Sequence, residues 1–311
     1  MIKIGFKFPF AQILKSSLFL GVLAFFFANC SAPKEDENLI RMGFTPAEST
    51  EKVNASGKVL ADILEKQTGF KYKTFVASDY TALIEAMRSG QVDIAWLAPF
   101  AFVLAENTAG AKVLLKSIRH GKANQYSAIV VRDSSKFKTL QDLKGATIAW
   151  TDPSSSSGHI TPKSSIIAEG VDPENFFSKQ TFAGSHETLV LAVSNGSVDA
   201  GATFSDNAEG SSGSWTLFMK NAGPKAEKLR AVYVTPPMPS DTVSVSKMFS
   251  EKYPDRVLKI KEAIKGLAAI PEGKDALKNL YNIEGLVDAG SEEYEPLRKA
   301  AAKLGYELDK K

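Results

Sequence analysis

The chain has 311 residues, of which 44% are hydrophobic and 23% charged, and this ordinary globular composition excludes a disordered chain, a collagen-like repeat and a coiled coil. Its formal charge of +3 matches three lysines within the first 29 residues, which contain no acid, so the remainder is neutral and lacks the basic excess with which proteins bind nucleic acid. The single cysteine excludes an internal disulfide and a metal site built from several cysteines. We therefore expect a folded protein with no nucleic-acid partner.

The N-terminal segment has the pattern of an export signal. Three lysines precede an apolar run at 16–28, and these 13 residues are too few for a membrane-spanning helix, which needs about 20. Cys30 follows this run closely, and 31–38 has the polar composition of a tether. The arrangement resembles a bacterial lipoprotein signal, so we expect a signal peptide at 1–29, a lipidated Cys30 that begins a tether at 30–38, and an exported protein anchored at the periplasmic face of a membrane. A cleaved secretory peptide with an incidental cysteine and an uncleaved anchor are the alternatives.

A helix-strand unit occurs twice, 106 residues apart, at 80–95 and 186–201. Each copy has the apolar spacing of a helix, a glycine suited to the helix C-terminus, and then a short strand. The repeat indicates two similar α/β lobes. The alternative is that a helix, a glycine and a short strand follow one another commonly in α/β proteins without any internal repeat. The coinciding pairs are Leu83/Leu189, Ala86/Ala192, Gly90/Gly196, Val92/Val198 and Asp93/Asp199.

The order of strands and helices predicts how the lobes are built. In each lobe a β run precedes a polar loop and a helix, an order typical of sheets that bind ligands beyond the carboxyl ends of their strands. Further β-rich stretches flank the second unit and predict two crossings between the lobes, and the helical tail at 252–308 is expected to pack on the first lobe. We therefore predict a two-lobed α/β clamshell that closes on a small ligand, with lobe I at 39–128 plus 239–311 and lobe II at 129–238.

A serine-rich loop, Asp152-Pro-Ser-Ser-Ser-Ser-Gly158, lies between a predicted strand and a predicted helix. Free N–H groups at a helix start favour an anion, and the hydroxyls of Ser155, Ser156 and Ser157 add donors. Serine-rich loops also serve as simple helix caps or linkers, so both interpretations stay open at this point.

Four other side chains are candidates for the same cleft. Tyr80 and His186 begin the two repeated helices, so the repeat places both at equivalent positions; half-buried packing residues are the alternative. Asp206 follows the second strand on another cleft loop, and Asp241 lies where the chain returns to the first lobe. A solvated carboxylate is the alternative for each acid.

Together these segments resemble the phosphonate-, phosphite- and phosphate-binding proteins of ABC importers, the PhnD-like group. The resemblance implies a type II periplasmic-binding-protein fold and a protein that delivers a small phosphorus oxyanion to an ABC permease and its ATPase; with the N-terminal signal, we expect a substrate-binding lipoprotein of an ABC importer. It also implies that Tyr80, the serine loop and His186 hold the oxyanion, while Asp206 and Asp241 contact the remaining ligand substituents. The motifs that carry it are Asp79-Tyr80 with Ile-Glu-Ala-Met-Arg88, Val92-Asp-Ile-Ala-Trp96, Asp152 to Gly158, Gly184-Ser-His-Glu187 and Pro239-Ser-Asp241.

Two features bear on the ligand. Aminophosphonate binders of this family can carry a second tyrosine after the tryptophan, whereas this chain has Leu97, which makes the cleft more apolar. No Lys or Arg falls at the matched positions, so we expect neutral dipoles to hold the anion. The two aspartates would then require a proton or an ammonium group on the ligand, and sulfate offers neither.

Enzyme function is a weaker interpretation. The sequence lacks a G-x-S-x-G elbow, an H-E-x-x-H metal motif and a Walker loop, so we expect no catalytic residue, no cofactor and no metal. A Ser/His/Asp hydrolase is therefore the less favoured alternative. A lipoprotein sensor or adhesin that uses the same clamshell without transport stays open.

Overall fold

The computed structural model describes residues 36–221, 223 and 226–308. The predicted signal peptide and lipidated Cys30 lie outside the described residues. Within the described part of the chain no helix is both long and apolar enough to cross a bilayer. All the strands and helices below belong to one unit, residues 39–311.

The first sheet has six strands in the order β12-β4-β11-β3-β1-β2. Strand β1 runs parallel to β2 and β3, whereas β11 runs antiparallel to β3 and β4, and β12 antiparallel to β4. The strands are β1 Leu39–Phe44, β2 Lys71–Val76, β3 Ile94–Leu97, β4 Lys112–Ile118, β11 Thr242–Val245 and β12 Gly285–Asp288. Its connecting helices are α1 Thr50–Thr68, α2 Tyr80–Arg88 and α3 Pro99–Ala109.

The second sheet also has six strands, in the order β10-β5-β8-β6-β7, with β9 paired to β5 as well. Strand β6 lies parallel to β7 and β8, which repeats the arrangement of β1 between β2 and β3. Its strands are β5 Asn124–Arg132, β6 Thr147–Trp150, β7 Lys179–Phe182, β8 Ala200–Ser205, β9 Leu229–Val234 and β10 Met238–Pro239. Its helices are α4 Thr161–Ala168, α5 Pro173–Phe176, α6 His186–Ser194 and α7 Ser214–Phe218.

The predicted helix-strand repeat is confirmed, because α2 leads to β3 in the first sheet as α6 leads to β8 in the second. Gly90 and Gly196 follow the two helices with φ of 72° and 81°, a backbone conformation that disfavours other residues. Each sheet therefore contains the same helix-glycine-strand unit. In each unit the helix starts just after a strand ends, so its first turn lies at the carboxyl edge of the sheet.

Each sheet with its helices forms one lobe of a two-lobed α/β molecule, and each sheet separates two hydrophobic cores. The C-terminal helices pack on the first lobe, as predicted, with Ile260 in one of its cores and Leu297 in the other. These helices are α8 Lys247–Lys252, α9 Pro254–Gly266, α10 Pro271–Tyr281 and α11 Glu295–Lys303.

The chain passes from the first sheet to the second between β4 and β5, at 119–123, and returns between β10 and β11, at 240–241. The lobe boundaries expected from the sequence, 128/129 and 238/239, stay a prediction, and the whole of β5 from Asn124 onward pairs within the second sheet. Both crossings border the cleft between the sheets, so residues within them can reach a ligand bound there.

The two lobes bond each other directly across the cleft. Phe100 N–H, at the start of α3, donates to Ser156 Oγ at 2.6 Å, and His186 N–H donates to the Ala47 carbonyl at 3.2 Å. At the rim, Tyr306 O–H donates to the Pro153 carbonyl at 3.3 Å, and its ring meets that of Phe100 edge-on with centroids 5.1 Å apart. The structure therefore shows the clamshell closed.

Candidate functional site

A cavity lies between the two sheets, at the ends of strands from both. The cavity has a volume of about 50 Å³, and since a single water needs only about 10–15 Å³, a ligand of a few heavy atoms fits. Its lining includes six of the seven predicted ligand-binding residues: Tyr80, Ser155, Ser156, Ser157, His186 and Asp241.

The serine loop forms one wall of the cavity as a tight π-helical turn, Ser156–Ile160, ahead of α4. Ser155 Oγ accepts the Gly158 N–H at 3.1 Å, which closes the turn from inside. The N–H groups of Ser156 and Ser157 begin the turn, where its own carbonyls cannot accept from them. This wall therefore brings backbone N–H groups and hydroxyls together at the start of a helix, an arrangement that favours an anion.

Tyr80 reaches the cavity because Asp79 caps α2, accepting the Ala82 N–H at 2.7 Å and fixing the first turn. The tyrosine side chain is 1% exposed. Its burial, together with the nearby charges of Asp152 and Asp241, raises the pKa of the Tyr80 hydroxyl above its ordinary value. The phenol is therefore neutral and remains a hydrogen-bond donor at physiological pH.

His186 begins α6, which Ser185 caps by accepting the Thr188 N–H at 3.1 Å. Burial lowers the pKa of His186 to about 4, so the imidazole is neutral near pH 7. Its Nδ1 lies 2.8 Å from Thr203 Oγ1 and 3.2 Å from Thr151 Oγ1. The ring is thus held from the protein side by threonine hydroxyls, and the histidine faces a ligand as a neutral dipole.

Asp241 is bound to a cation that the sequence did not indicate. Arg119 Nη2 donates to Asp241 Oδ2 at 2.6 Å, and Gln125 Nε2 donates to Oδ1 at 3.2 Å. Arg119 and Gln125 both line the cavity. The expectation that neutral dipoles hold the anion stays a prediction, and it was made without Arg119, a cation of the first chain crossing that lines the cavity.

Asp206 is the predicted residue that the structure does not bring to the cavity. Its carboxylate lies 3.5 Å from Nε2 of His120, a residue of the first chain crossing. Asp206 is absent from the cavity lining, whereas Phe204, two residues earlier in β8, belongs to it. We placed Asp206 at the cleft from its position after the strand, and that position does not reveal its contact with His120.

The structure adds further lining residues to the predicted ones. Trp96 lies within a motif of the resemblance, and its Nε1 is buried with no hydrogen-bond partner among the described residues. Glu48, after β1, is buried and ion-paired with Lys52, and burial raises the pKa of its carboxyl. Tyr281 comes from α10 of the tail. Of these, Trp96 alone carried a signal in the sequence, through its motif.

Two further properties limit the chemistry of the site. Within the described residues no group of three or more His, Cys, Asp or Glu side chains is placed to hold a metal ion. The His186 ring contacts the hydroxyls of Thr151 and Thr203 through Nδ1, and no serine hydroxyl bonds this ring among the described residues. The arrangement can hold an anion by hydrogen bonds and charge.

Comparison with known proteins gives a family and a fold. The family model described as "ABC transporter, phosphonate, periplasmic substrate-binding protein" matches residues 42–294. The chain is 28% identical over 253 residues to the phosphonates-binding periplasmic protein of Escherichia coli, covering 79% of this chain and 71% of that protein. It is 34% identical over 176 residues to the phosphate-import protein PhnD of Mycolicibacterium smegmatis, covering 53% of this chain and 54% of that protein. The match thus spans about half the length of the Mycolicibacterium relative.

Solved structures show the same architecture. PhnD1 from Prochlorococcus marinus in complex with methylphosphonate has a TM-score of 0.75 at 20% identity, covering 86% of this chain and 98% of that one. A binding protein component of an ABC phosphonate transporter from Pseudomonas aeruginosa has a TM-score of 0.74 at 24% identity, covering 86% of both chains. These likenesses establish the fold.

Proposed function

The chain belongs to the family of periplasmic substrate-binding proteins of phosphonate ABC transporters, and on that premise we propose that it captures a small phosphorus oxyanion, such as a phosphonate, phosphite or phosphate, between its lobes. The captured anion is delivered to an ABC permease with its ATPase. The proposed ligand contacts are Tyr80, the serine turn and His186, with Arg119 added. The protein binds and releases its ligand without chemical change.

The observation that carries this proposal is a set of donors without partners in the cavity wall. Trp96 Nε1 and Arg119 Nη1 are buried and have no hydrogen-bond partner among the described residues. A buried donor left unpaired costs about 1–3 kcal/mol, a cost that a bound oxyanion would remove at both atoms. Together with the serine turn of the second lobe, these atoms give the cavity polar groups from both lobes for one small acceptor-rich ligand.

We also propose that the protein is exported and tethered through a lipidated Cys30. The support for export is the family, whose members act in the periplasm. The support for lipidation is the position of Cys30 after the apolar run. A tethered binding protein stays near its permease, which raises their effective concentration.

Calorimetry with phosphate, phosphite, methylphosphonate and sulfate, and with acetate as a control, tests the binding function. We expect at least one phosphorus oxyanion to bind with a micromolar or tighter Kd and acetate to bind much more weakly. Ser157→Ala removes a cavity hydroxyl and should weaken that ligand roughly 10- to 100-fold, since hydrogen bonds to charged groups contribute about 1.5–3 kcal/mol. Ser154→Ala is the matched control, because Ser154 is buried in the same loop but does not line the cavity. Absence of binding by every phosphorus oxyanion would contradict the proposal.

A further inference from the structure

Arg119 is held in one position by its backbone and by two of its three nitrogens. Its N–H and carbonyl bond those of Lys122 at 2.9 Å each, and the two residues between them, His120 and Gly121, have φ of 50° and 69°. Positive φ at both central residues is the signature of a tight type I′ turn. The side chain then donates from Nε to the Tyr281 carbonyl at 2.7 Å and from Nη2 to Asp241.

The third nitrogen, Nη1, is buried and has no hydrogen-bond partner in the described part of the chain. A guanidinium offers five N–H groups in a rigid plane, so fixing Nε and Nη2 also fixes the direction of the Nη1 donors. The side chain lines the cavity and is 11% exposed. Nη1 of Arg119 is thus aimed as a donor for which the described residues supply no acceptor.

We propose that Arg119 contacts the oxyanion directly through Nη1, and that Asp241 and Gln125 position its guanidinium, so that the cleft selects small phosphorus oxyanions that carry no ammonium group. This inference rests on the proposed function and assigns the specificity of the same site. Asp241 is then a positioning residue for Arg119, in contrast to the contact with ligand substituents that the sequence resemblance implied.

The selection against an ammonium group follows from the carboxylates around the cavity. Two carboxylates line it, Asp241 and Glu48. Both Asp241 oxygens accept from Arg119 and Gln125, while Glu48 is ion-paired with Lys52. An ammonium group in the cavity would meet a guanidinium and would have to compete for carboxylates that already have partners. A ligand whose charged group finds no free partner is rejected strongly, because that group loses its water without replacement.

The apolar part of the wall points to the same class of ligand. Trp96, Leu97, Ala98 and Pro99 line the cavity in sequence, where β3 gives way to α3. These side chains can contact a hydrogen or a methyl group on phosphorus, and they offer an extended amine no acceptor. Phosphite and methylphosphonate therefore match both the donors and the apolar wall.

Calorimetry with methylphosphonate and 2-aminoethylphosphonate tests the inference on the wild type and on Arg119→Gln. We expect the wild type to bind methylphosphonate at least about tenfold more tightly. Arg119→Gln should weaken methylphosphonate roughly 10- to 100-fold and reduce its advantage over 2-aminoethylphosphonate, because Asp241 then becomes free to accept from the amine. Lys122→Gln is the matched control: this cation lies in the same turn, is exposed and does not line the cavity, so both affinities should stay unchanged.

Two more variants distinguish positioning from direct contact. Asp241→Asn should weaken both ligands in the same proportion, since it loosens Arg119; a selective loss of 2-aminoethylphosphonate would overturn the inference. Arg119→Lys keeps the charge and is the variant to use if Arg119→Gln does not fold. It should weaken methylphosphonate several-fold, since one ammonium group cannot replace three directed nitrogens.

Wild-type affinity for methylphosphonate in Arg119→Lys or Arg119→Gln would overturn the role of Arg119, as would a wild type that prefers 2-aminoethylphosphonate. These outcomes leave the proposed function standing, because a phosphorus oxyanion still binds. If the wild type binds no phosphorus oxyanion, the proposed function fails and this inference fails with it.

Discussion

At the scale of single residues, two buried hydroxyls, those of Ser214 and Thr203, lie in a row behind the His186 ring. Ser214 Oγ lies 2.6 Å from Thr203 Oγ1, which lies 2.8 Å from His186 Nδ1, and both hydroxyl residues are fully buried. Thr151 Oγ1 donates to the Ala202 carbonyl at 3.1 Å. The Thr151 hydroxyl hydrogen is thus already engaged, and we predict that Thr203 is the donor to Nδ1; the proton of the neutral ring then sits on Nε2, which makes Nε2 a donor for the proposed anion. Because the pKa of His186 is about 4, this state persists above about pH 5.

Thr203→Val should weaken ligand binding about tenfold, because it keeps the shape of the side chain but removes the hydroxyl that we predict to donate to His186 Nδ1. Calorimetry measures the affinity, and nitrogen NMR of the imidazole shows which nitrogen carries the proton. In the wild type we expect Nε2 to be protonated, and in the variant a mixture of tautomers. Thr203→Ser should restore both readouts.

Thr68→Val is the control for stability, since Thr68 is also buried and donates to a carbonyl at 2.7 Å, in α1 of the first lobe. It should lower the Tm without changing the affinity. A wild-type ring protonated at Nδ1 would refute the relay through Thr203.

At this scale, the sequence was enough to predict cavity residues whose position depends on neighbouring residues. It was not enough for residues whose position depends on contacts with distant segments. Tyr80 and His186 were found because each begins a repeated helix, and helix starts are visible in neighbouring residues. Arg119 was missed because its partners lie 122 residues away at Asp241 and 162 residues away at Tyr281. The same crossing supplies His120, whose pairing with Asp206 was equally hidden.

At the scale of elements, the serine turn depends on one residue without a side chain. A Cβ at Gly158 would lie 2.2 Å from Thr151 Oγ1 and 2.9 Å from Ser155 Oγ, well inside contact distance. The Gly158 carbonyl also accepts the Thr151 N–H at 3.0 Å, so the turn and the end of β6 are pressed together. Space, and not a left-handed backbone, is therefore what requires glycine here.

Gly158→Ala should displace the turn from Thr151 and weaken ligand binding by more than about tenfold, since overpacking of this kind costs about 1–3 kcal/mol and moves the anion donors. Calorimetry and thermal unfolding measure the two effects. Gly266→Ala is the matched control: it lies in α9 with nothing within 4 Å of the added Cβ, so neither affinity nor Tm should fall. Normal affinity in Gly158→Ala would show that the anion is held elsewhere.

At the scale of the whole molecule, the repeat and the alternation of strands and helices were sufficient to predict two lobes, because each unit is built from neighbouring residues. The residues at which the chain passes from one lobe to the other were harder to predict from the sequence. Strand β5 is a single continuous β run whose place in the second sheet depends on pairing with β8 and β9, far along the chain. Hydrophobic pattern alone does not show which sheet such a strand joins.

The anchor is a property of the whole molecule too, and Cys30→Ser tests it. Loss of the thiol should abolish labelling by a palmitate analogue and release the protein from the membrane fraction, because stable anchoring requires acyl chains that bury many CH₂ groups at about 0.8 kcal/mol each. Ser31→Ala, at the adjacent position, should keep both the label and the membrane location. Equal labelling of the wild type and Cys30→Ser would remove the lipoprotein proposal.

The bonds that join the closed lobes, at Ser156, Ala47 and Pro153, have a consequence for how uptake evolves. Closing and ligand binding are one linked equilibrium, so whatever these bonds contribute to closing also enters the apparent affinity. Two related proteins with the same cavity but different interlobe bonds would therefore bind the same ligand with different dissociation rates. Under the proposed function, substitutions at Tyr306, outside the cavity, would therefore change how long a ligand is retained without changing which ligand the cavity accepts.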